Sequence, residues 1–408
     1  MKILFISAQY PPESKGGGEI STHIIAQGLI SLGHDVLVVT DGEHKERKIV
    51  DSVPVQVVPL FLRQKPLFER AQSTASYRMF KRAIKDWRTY DVIHAHDFRS
   101  ALMLSHLESP KSVVTARDYA QISGCTNNIQ YNGNIEQGCQ GLHELWQCHR
   151  VHEASFIRKP FRIWQYMYNR GYRKNAFASF KHQIFISHEE QAVIAQHQDI
   201  SKQHTSVIYN PIGQEYLATP TEAGVAGNIL YIGRVEMYKG VRLLLEAWKR
   251  VAKEYPKAHL TIAGNGAQQK EYEHLASLWG IGYRTTFLPH VPYHRLRSLI
   301  DKASILVAPH LWVEPFGRTV LEGMARGKIV IASNVGGAVE MIDNQKTGIL
   351  FERGNVRELE DALVQALTMG QLTAVQMGKD ARHAVAENFT QEKIAKHHEE
   401  FYKEMSIK

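Results

Sequence analysis

Glu314-Pro-Phe-Gly-Arg-Thr-Val-Leu-Glu322 lies between two apolar runs, Ile305-Leu-Val-Ala308 and Ile329-Val-Ile-Ala332. Each run is short, unbroken and rich in branched aliphatics, the pattern of a strand buried on both faces. The interval between them holds a loop and an apolar helix start. Strand, helix and strand make a βαβ unit, which sets the two strands parallel. Two carboxylates eight positions apart bracket the helix start. Eight residues is a little over two helical turns, so both can lie along one helix edge. Glu314 stands ahead of the helix, whose N-terminus gathers unpaired N–H groups and a partial positive charge suited to a phosphate. A carboxylate there also accepts hydrogen bonds from hydroxyl groups such as those of a sugar.

The same rhythm extends outward. In the second half strands are predicted at 229–232, 259–263, 285–288, 305–308, 329–332 and 348–351. Helices are predicted at 241–255, 270–278, about 317–326, 339–342 and from 356. In the first half strands fall at 3–7, 36–40, 55–59, 92–94, 112–115, 183–186 and 206–209, with helices at 20–32, about 69–88 and 100–107. The rhythm breaks across an insertion at about 119–181, and the loose stretch 219–228 reads as a linker. A chain of 408 residues exceeds what one core usually supports. The expected fold class is therefore α/β, with two Rossmann-like domains at residues 1–212 and 213–385.

Composition bounds the function. Hydrophobic content of 44% and charged content of 22% are those of a soluble globular protein. No apolar run approaches the ~20 residues of a membrane span. The first strand stops at Gln9-Tyr10-Pro11-Pro12 and carries only Lys2, unlike a signal peptide. Three cysteines argue for free thiols in a reducing compartment, so the expected location is cytoplasmic. The net charge of +8 is concentrated. Residues 63–88 carry eight Lys/Arg against Glu69 and Asp86, and residues 150–181 carry eight against Glu153, interleaved with Phe156, Phe161, Trp164, Tyr166, Tyr168, Tyr172, Phe177 and Phe180. Such segments favour an anionic membrane surface or an acidic acceptor over a solvated face whose aromatics pack inward. Nucleic acid is not expected, because no nucleic-acid-binding motif accompanies the charge.

Gly233-Arg234-Val-Glu-Met-Tyr-Lys239-Gly240 follows directly on the strand 229–232. A basic pair in a strand-to-helix loop can cradle a diphosphate and offset its charge without a metal. Gly16-Gly17-Gly18-Glu19, after Pro11-Pro12, lets backbone N–H groups approach a phosphate or sugar; it is not G-x-G-x-x-G, which disfavours a dinucleotide site. Ala263-Gly264-Asn265-Gly266, His310-Leu-Trp312-Val-Glu314 and Gly336-Gly337 with Glu340 complete the set.

Taken together, these segments resemble those of family-4 retaining glycosyltransferases, over almost the whole chain apart from the insertion. The resemblance implies a GT-B fold, two facing Rossmann-like domains with an inter-domain cleft, and a C-terminal helix (about 386–408) returning to the first domain. It implies a nucleotide-sugar donor, UDP- or GDP-linked, a saccharide or lipid-linked acceptor, and no metal cofactor. Glu314 would hold the donor sugar and Glu322 the ribose. Gly17, Gly18, Arg234, Lys239, Gly264, Phe316, Gly317, Arg318 and Thr319 would complete the donor site, with Glu19, Arg117 and Asp118 on the acceptor side. One departure stands out: where members usually carry a His after the fourth or fifth strand, this chain has Arg117 in Thr115-Ala116-Arg117-Asp118-Tyr119. Arg cannot act as a base but can grip a phosphate or carboxylate. In the family's front-face reaction the leaving phosphate accepts the acceptor's proton, so this loss need not abolish catalysis. His96, at the end of the preceding strand, could substitute, whereas His94 reads as structural.

Cys125, Cys139 and Cys148 lie near His143, His149 and His152, but their spacings lack C-x2-C pairs, so no metal site is expected. Two other classes remain open: a nucleotide-sugar 2-epimerase of the same fold, and a catalytically silent binding protein, which Arg117 keeps in view.

Overall fold

The computed structural model describes residues 1–14, 16–62, 68–122, 159–218, 224–289 and 291–405. The three cysteines and most of the insertion lie outside them. The chain forms two compact units, Met1–Pro211 with Gln391–Lys408, and Ile212–Thr390. The crossings therefore fall at 211/212 and 390/391, where the sequence suggested 212/213 and 385/386. The helix Gln371–Asn388 stays with the second unit, and only the last helix, Gln391–Met405, belongs to the first.

The first unit is built on strands β1 (Lys2–Ser7), β2 (Asp35–Asp41), β3 (Glu46–Val50), β4 (Val53–Val58), β5 (Val92–Ala95), β6 (Ser112–Thr115), β7 (His182–Phe185) and β8 (His204–Val207). They form one sheet in the order β3-β4-β2-β1-β5-β6-β7-β8, parallel throughout except for the β3–β4 pair. The two-residue period of a strand explains its two cores. Leu4 and Ile6 pack on one face with Val39, Ile93 and Val114. Ile3 and Phe5 pack on the other with Val38, Val55, Val92 and Val113. That second core takes Ile394, Ala395, Phe401 and Tyr402 from the C-terminal helix. Gly28 lets this helix approach the helix Gly17–Ser31, since a Cβ there would lie 2.7 Å from the Ala395 Cβ.

Strand β3 was not anticipated. Its Glu-Arg-Lys-Ile-Val sequence is mostly exposed, and it is tied to β4 by a tight turn at Asp51 and Ser52, both at positive φ (43° and 72°). A charged edge strand of this kind blocks sheet-to-sheet association. It leaves no hydrophobic alternation to read.

The second unit carries β9 (Asn228–Ile232), β10 (His259–Ala263), β11 (Thr285–Leu288), β12 (Ile305–Ala308), β13 (Ile329–Ser333) and β14 (Ile349–Phe351), all parallel in the order β11-β10-β9-β12-β13-β14. Ile229, Tyr231, Leu260, Ile262, Ile305, Val307, Ile329 and Ile331 project into one core with Trp248 and Leu363. In each sheet successive connections run to opposite sides of one strand pair, β1/β5 in the first and β9/β12 in the second. Open parallel sheets bind ligands beyond the C-terminal ends of the strands at such reversals. The quoted motifs fall there: residues 233–240 follow β9, residues 309–317 follow β12, residues 8–18 follow β1 and His96 follows β5. No described helix is long and apolar enough to cross a membrane.

Candidate active site

In the second unit, the loops after β9 and β12 meet at Glu314. Lys239 pairs with its Oε2, Trp312 Nε1–H donates to the same oxygen at 2.8 Å, and His310 Nδ1 lies 3.5 Å from it. His310, Trp312 and Glu314 lie two residues apart in the loop after β12, and its bends at Leu311 and Trp312 bring all three side chains together. Burial pushes the Glu314 pKa up, but the charge of Lys239 and the hydrogen bonds from Lys239 and Trp312 outweigh it, holding the carboxyl below its ordinary value. Burial and Lys239 depress His310 to about 4, so it is neutral at pH 7. The result is a negative carboxylate with one oxygen held by Lys239 and Trp312, and neutral His310 beside it.

Close backbone packing supports it. Gly336 has φ 64°, and a Cβ on it would lie 2.2 Å from the Glu314 carbonyl oxygen; one on Gly337 would lie 2.4 Å from that of Phe316. Gly337 N–H donates to the Glu314 carbonyl at 2.9 Å. The Gly336-Gly337 pair is therefore where a neighbouring loop presses on the Glu314–Phe316 backbone. Gly264 does the same beneath the basic loop: its Cβ would lie 1.9 Å from the Gly233 carbonyl oxygen.

The helix of the opening motif spans Arg318–Ala325, with Gly317 at φ 90° as its N-cap. Glu314 thus lies in the loop ahead of the helix instead of sharing its edge, and Thr319 is half-buried in the first turn. Arg318 Nε–H donates to Glu322 Oε1 at 2.9 Å, one turn on, and its Nη2 reaches the Tyr293 hydroxyl at 3.0 Å. Glu322 is 2% exposed. Burial raises it to about 6 against the pull of Arg318. Phe316 is buried, its ring 6.0 Å from that of Phe389. Arg234 is exposed, its guanidinium 5.5 Å from the Tyr238 ring, and Lys239 lies 5.9 Å from the same ring and 5.1 Å from that of Trp312. The second unit therefore brings together Arg234, Lys239, Glu314, Gly317, Arg318 and Glu322. Tyr293 was missed, because its helix, Tyr293–Lys302, was not predicted.

In the first unit, Gly17 and Gly18 open the helix Gly17–Ser31 with Glu19 in its first turn. A Cβ on Gly18 would lie 3.4 Å from the Arg117 Cδ. Burial raises the Glu19 pKa, and Asp97 adds to the rise while Arg117 opposes it. Arg117 spends its N–H groups on the protein: Nε donates to the His96 carbonyl at 3.1 Å, Nη1 to Asn210 Oδ1 at 2.6 Å, and Nη2 lies 3.3 Å from His96 Nδ1. This geometry favours a strut over the expected grip on an anionic acceptor. His96 is 1% exposed and its ring lies 3.9 Å from that of His94; burial holds both well below the ordinary histidine pKa. His94 bridges Tyr402 and Thr115, the structural role read from sequence. Asp118 accepts the Ala120 N–H at 2.8 Å and is raised to about 6 by burial. Among the described residues no three His, Cys, Asp or Glu side chains are grouped to hold a metal.

Residues 15–215 match glycosyltransferase family 4, and residues 224–384 match the glycosyl transferases group 1. The chain is a family-4-type, group 1 glycosyltransferase. It is similar to the glycogen synthase of Mycobacterium tuberculosis, at 26% identity over 97% of this chain and 92% of that protein. Among solved structures, sucrose-phosphate synthase from Thermosynechococcus elongatus superposes with a TM-score of 0.72 at 19% identity, covering 100% of this chain and 99% of that one. Anabaena HepE in complex with UDP-glucose gives 0.67 at 18% identity, covering 100% of each. The glycosyltransferase has the GT-B fold of these neighbours.

Proposed function

We propose that this glycosyltransferase moves a sugar from a UDP- or GDP-linked donor to a saccharide or lipid-linked acceptor, with retention and without a metal. The reading further places it on the cytoplasmic side, in surface polysaccharide or glycoconjugate synthesis, with peripheral contact to the membrane. The observation that carries it is the Lys239–Glu314 pair. Two residues 75 positions apart meet where β9 and β12 end, with Arg234 on the same loop as Lys239.

In this reading Arg234 and Lys239 hold the donor diphosphate. Two cations there stabilise the charge that grows on the diphosphate as the sugar leaves, the role a metal plays elsewhere. Glu314, held ionised, accepts hydrogen bonds from the sugar hydroxyls. Trp312, through its Nε1–H, keeps that carboxylate in place when Lys239 turns to the diphosphate. Glu322, steadied by Arg318, accepts the ribose hydroxyls. The bond from the anomeric carbon to the phosphate oxygen breaks, the bond to the acceptor oxygen forms on the same face, and the acceptor's proton passes to the departing phosphate. No protein base is required, which suits the buried His96. On the acceptor side, Glu19 and Asp118 supply the polar groups and Arg117 positions His96 and Asn210. The UDP-glucose bound by HepE supports a UDP-linked donor.

The test is a thermal-shift panel of UDP-, GDP-, ADP- and CMP-linked sugars, followed by product analysis in EDTA. One nucleotide class should stabilise the protein, and the product should keep the donor's anomeric configuration. An inverted product or abolition by EDTA would contradict the mechanism. Interconversion of the donor sugar without acceptor would favour an epimerase.

A further inference from the structure

The helix Lys159–Ala178 is apolar on two sides, and the described residues cover only one of them. Ile163, Ala176 and Phe177 are buried. Phe161, Trp164, Met167 and Tyr168 project outward, 45%, 53%, 50% and 38% exposed. At 100° per residue these four share an arc of roughly 120°. A solvated helix carries charge on that arc. The exposed rings form one cluster: Phe161 and Trp164 lie 5.9 Å apart, Trp164 and Tyr168 6.0 Å, and Phe68 joins them at 5.6 and 5.2 Å. Between them and the helix Glu69–Ala83 runs a groove of about 560 Å³ flanked by Arg70 and Arg78.

The surrounding charge has one sign. Arg70, Arg78, Lys81 and Arg82 are exposed on the helix Glu69–Ala83, and Arg162 and Lys174 on the helix Lys159–Ala178. Neither helix carries an acidic residue except Glu69, which Arg173 already binds. A second copy of the chain would bring like charge against like. A saccharide could use Arg70, Thr74 and Tyr168 at the groove but would leave Phe161 and Met167 unburied. Exposed aromatic and aliphatic side chains flanked by Arg70 and Arg78, on helices whose only acid is already paired, match the interfacial zone of an anionic bilayer.

We infer that this face is the membrane-docking surface of the first unit: Phe161, Trp164, Met167 and Tyr168 enter the interfacial layer, and Arg70 and Arg78, which flank the groove, meet anionic lipid headgroups. The inference deepens the peripheral-membrane part of the proposed function and fixes its residues and lipid class. Each basic residue near such a surface is worth about fivefold in partition.

The test is co-sedimentation of the full chain with phosphatidylcholine vesicles, with and without phosphatidylglycerol. The parent should bind only the anionic vesicles and be released by high salt. Arg70→Ser with Arg78→Ser should lower partition by about 25-fold. Phe161→Ser with Trp164→Ser should lower it by about tenfold or more at unchanged Tm and donor hydrolysis. Equal binding to neutral vesicles, or parental binding by both double variants, would overturn the inference. So would single-stranded RNA or a soluble oligosaccharide quenching the Trp164 signal, defined against Trp164→Phe, where vesicles do not. The vesicle measurement needs no donor. Docking without sugar transfer would sink only the proposed reaction, and transfer without docking would sink only this inference.

Discussion

The two units end their sheets in differently composed polar centres. Beyond β9 and β12, two carboxylates each face a cation: Glu314 with Lys239, and Glu322 with Arg318. Beyond β5 and β6, one cation, Arg117, faces the neutral, buried His96 and the amide Asn210. The first arrangement is exchangeable. An incoming diphosphate can take Lys239, and the hydroxyls of a sugar or ribose can satisfy the carboxylates. The second is closed on itself, its hydrogen bonds spent on holding strand ends together. Under the proposed reaction, charge stored as pairs at a sheet reversal serves the chemistry, while charge held by carbonyls and amides serves the frame.

Removing Lys239 should have the largest effect. Lys239→Ala is expected to lower kcat by about 10²–10³, the scale for loss of one preorganised stabilising group. It also leaves Glu314 as a buried, unpaired carboxylate, at a stability cost of about 3–5 kcal/mol. Lys239→Ala with Glu314→Gln should recover much of the lost Tm and none of the turnover. If the double variant stays as unstable as the single one, the pair is not what Lys239 supplies to the fold.

Arg117→Ala should act on the frame. Loss of hydrogen bonds from a charged group typically costs about 1.5–3 kcal/mol. A drop in Tm with unchanged acceptor KM is the expected result. The reverse pattern, a raised KM for an anionic acceptor at parental Tm, would restore the direct grip that the sequence suggested.

A pH titration sharpens the comparison further. Burial raises the folded pKa of Glu322 to about 6, above the ordinary carboxyl value of roughly 4.3. The folded state therefore holds this proton longer, and the associated stability is complete below the ordinary value and lost as pH rises through about 6. Nucleotide binding should run the other way, since the ribose hydroxyls donate to the ionised carboxylate. Affinity should fall severalfold as pH drops through about 6, and Glu322→Gln should flatten that step. Asp118, also raised to about 6 by burial, remains in that variant, so a persisting step would move the titration to the first unit.

Much of this was legible in the sequence, for a physical reason. Strands buried on both faces must be apolar without interruption, so β1, β9, β12 and β13 announce themselves. Strand β3 does not, because an exposed edge strand is held by its backbone pairing with β4 and buries no apolar face that would impose alternation. The helix Tyr293–Lys302 carries a readable apolar stripe, Leu296, Leu299 and Ile300, that was passed over, and Tyr293 was lost with it. At the site, residue type and spacing pointed to Arg234, Lys239, Glu314 and Glu322. The hydrogen bond of Trp312 to one Glu314 oxygen, with His310 beside it, needed the folded loop, although their spacing from Glu314 was a usable signal. Gly336-Gly337 matched a familiar pattern, but its reason, a Cβ colliding with the Glu314 carbonyl, exists only in three dimensions. Arg117 was legible as a departure in residue type, but its partners, His96 and Asn210, needed the fold.

The central claim is that the donor is held by the paired charges of the second unit. Calorimetric titration with the nucleotide sugar selected by the thermal-shift panel, on Arg234→Ala beside the parent, tests it most directly. Arg234 is exposed, so the variant should keep its fold. Loss of one charge-assisted contact of about 1.5–3 kcal/mol should raise Kd about tenfold or more. Parental Kd in Arg234→Ala would contradict the account.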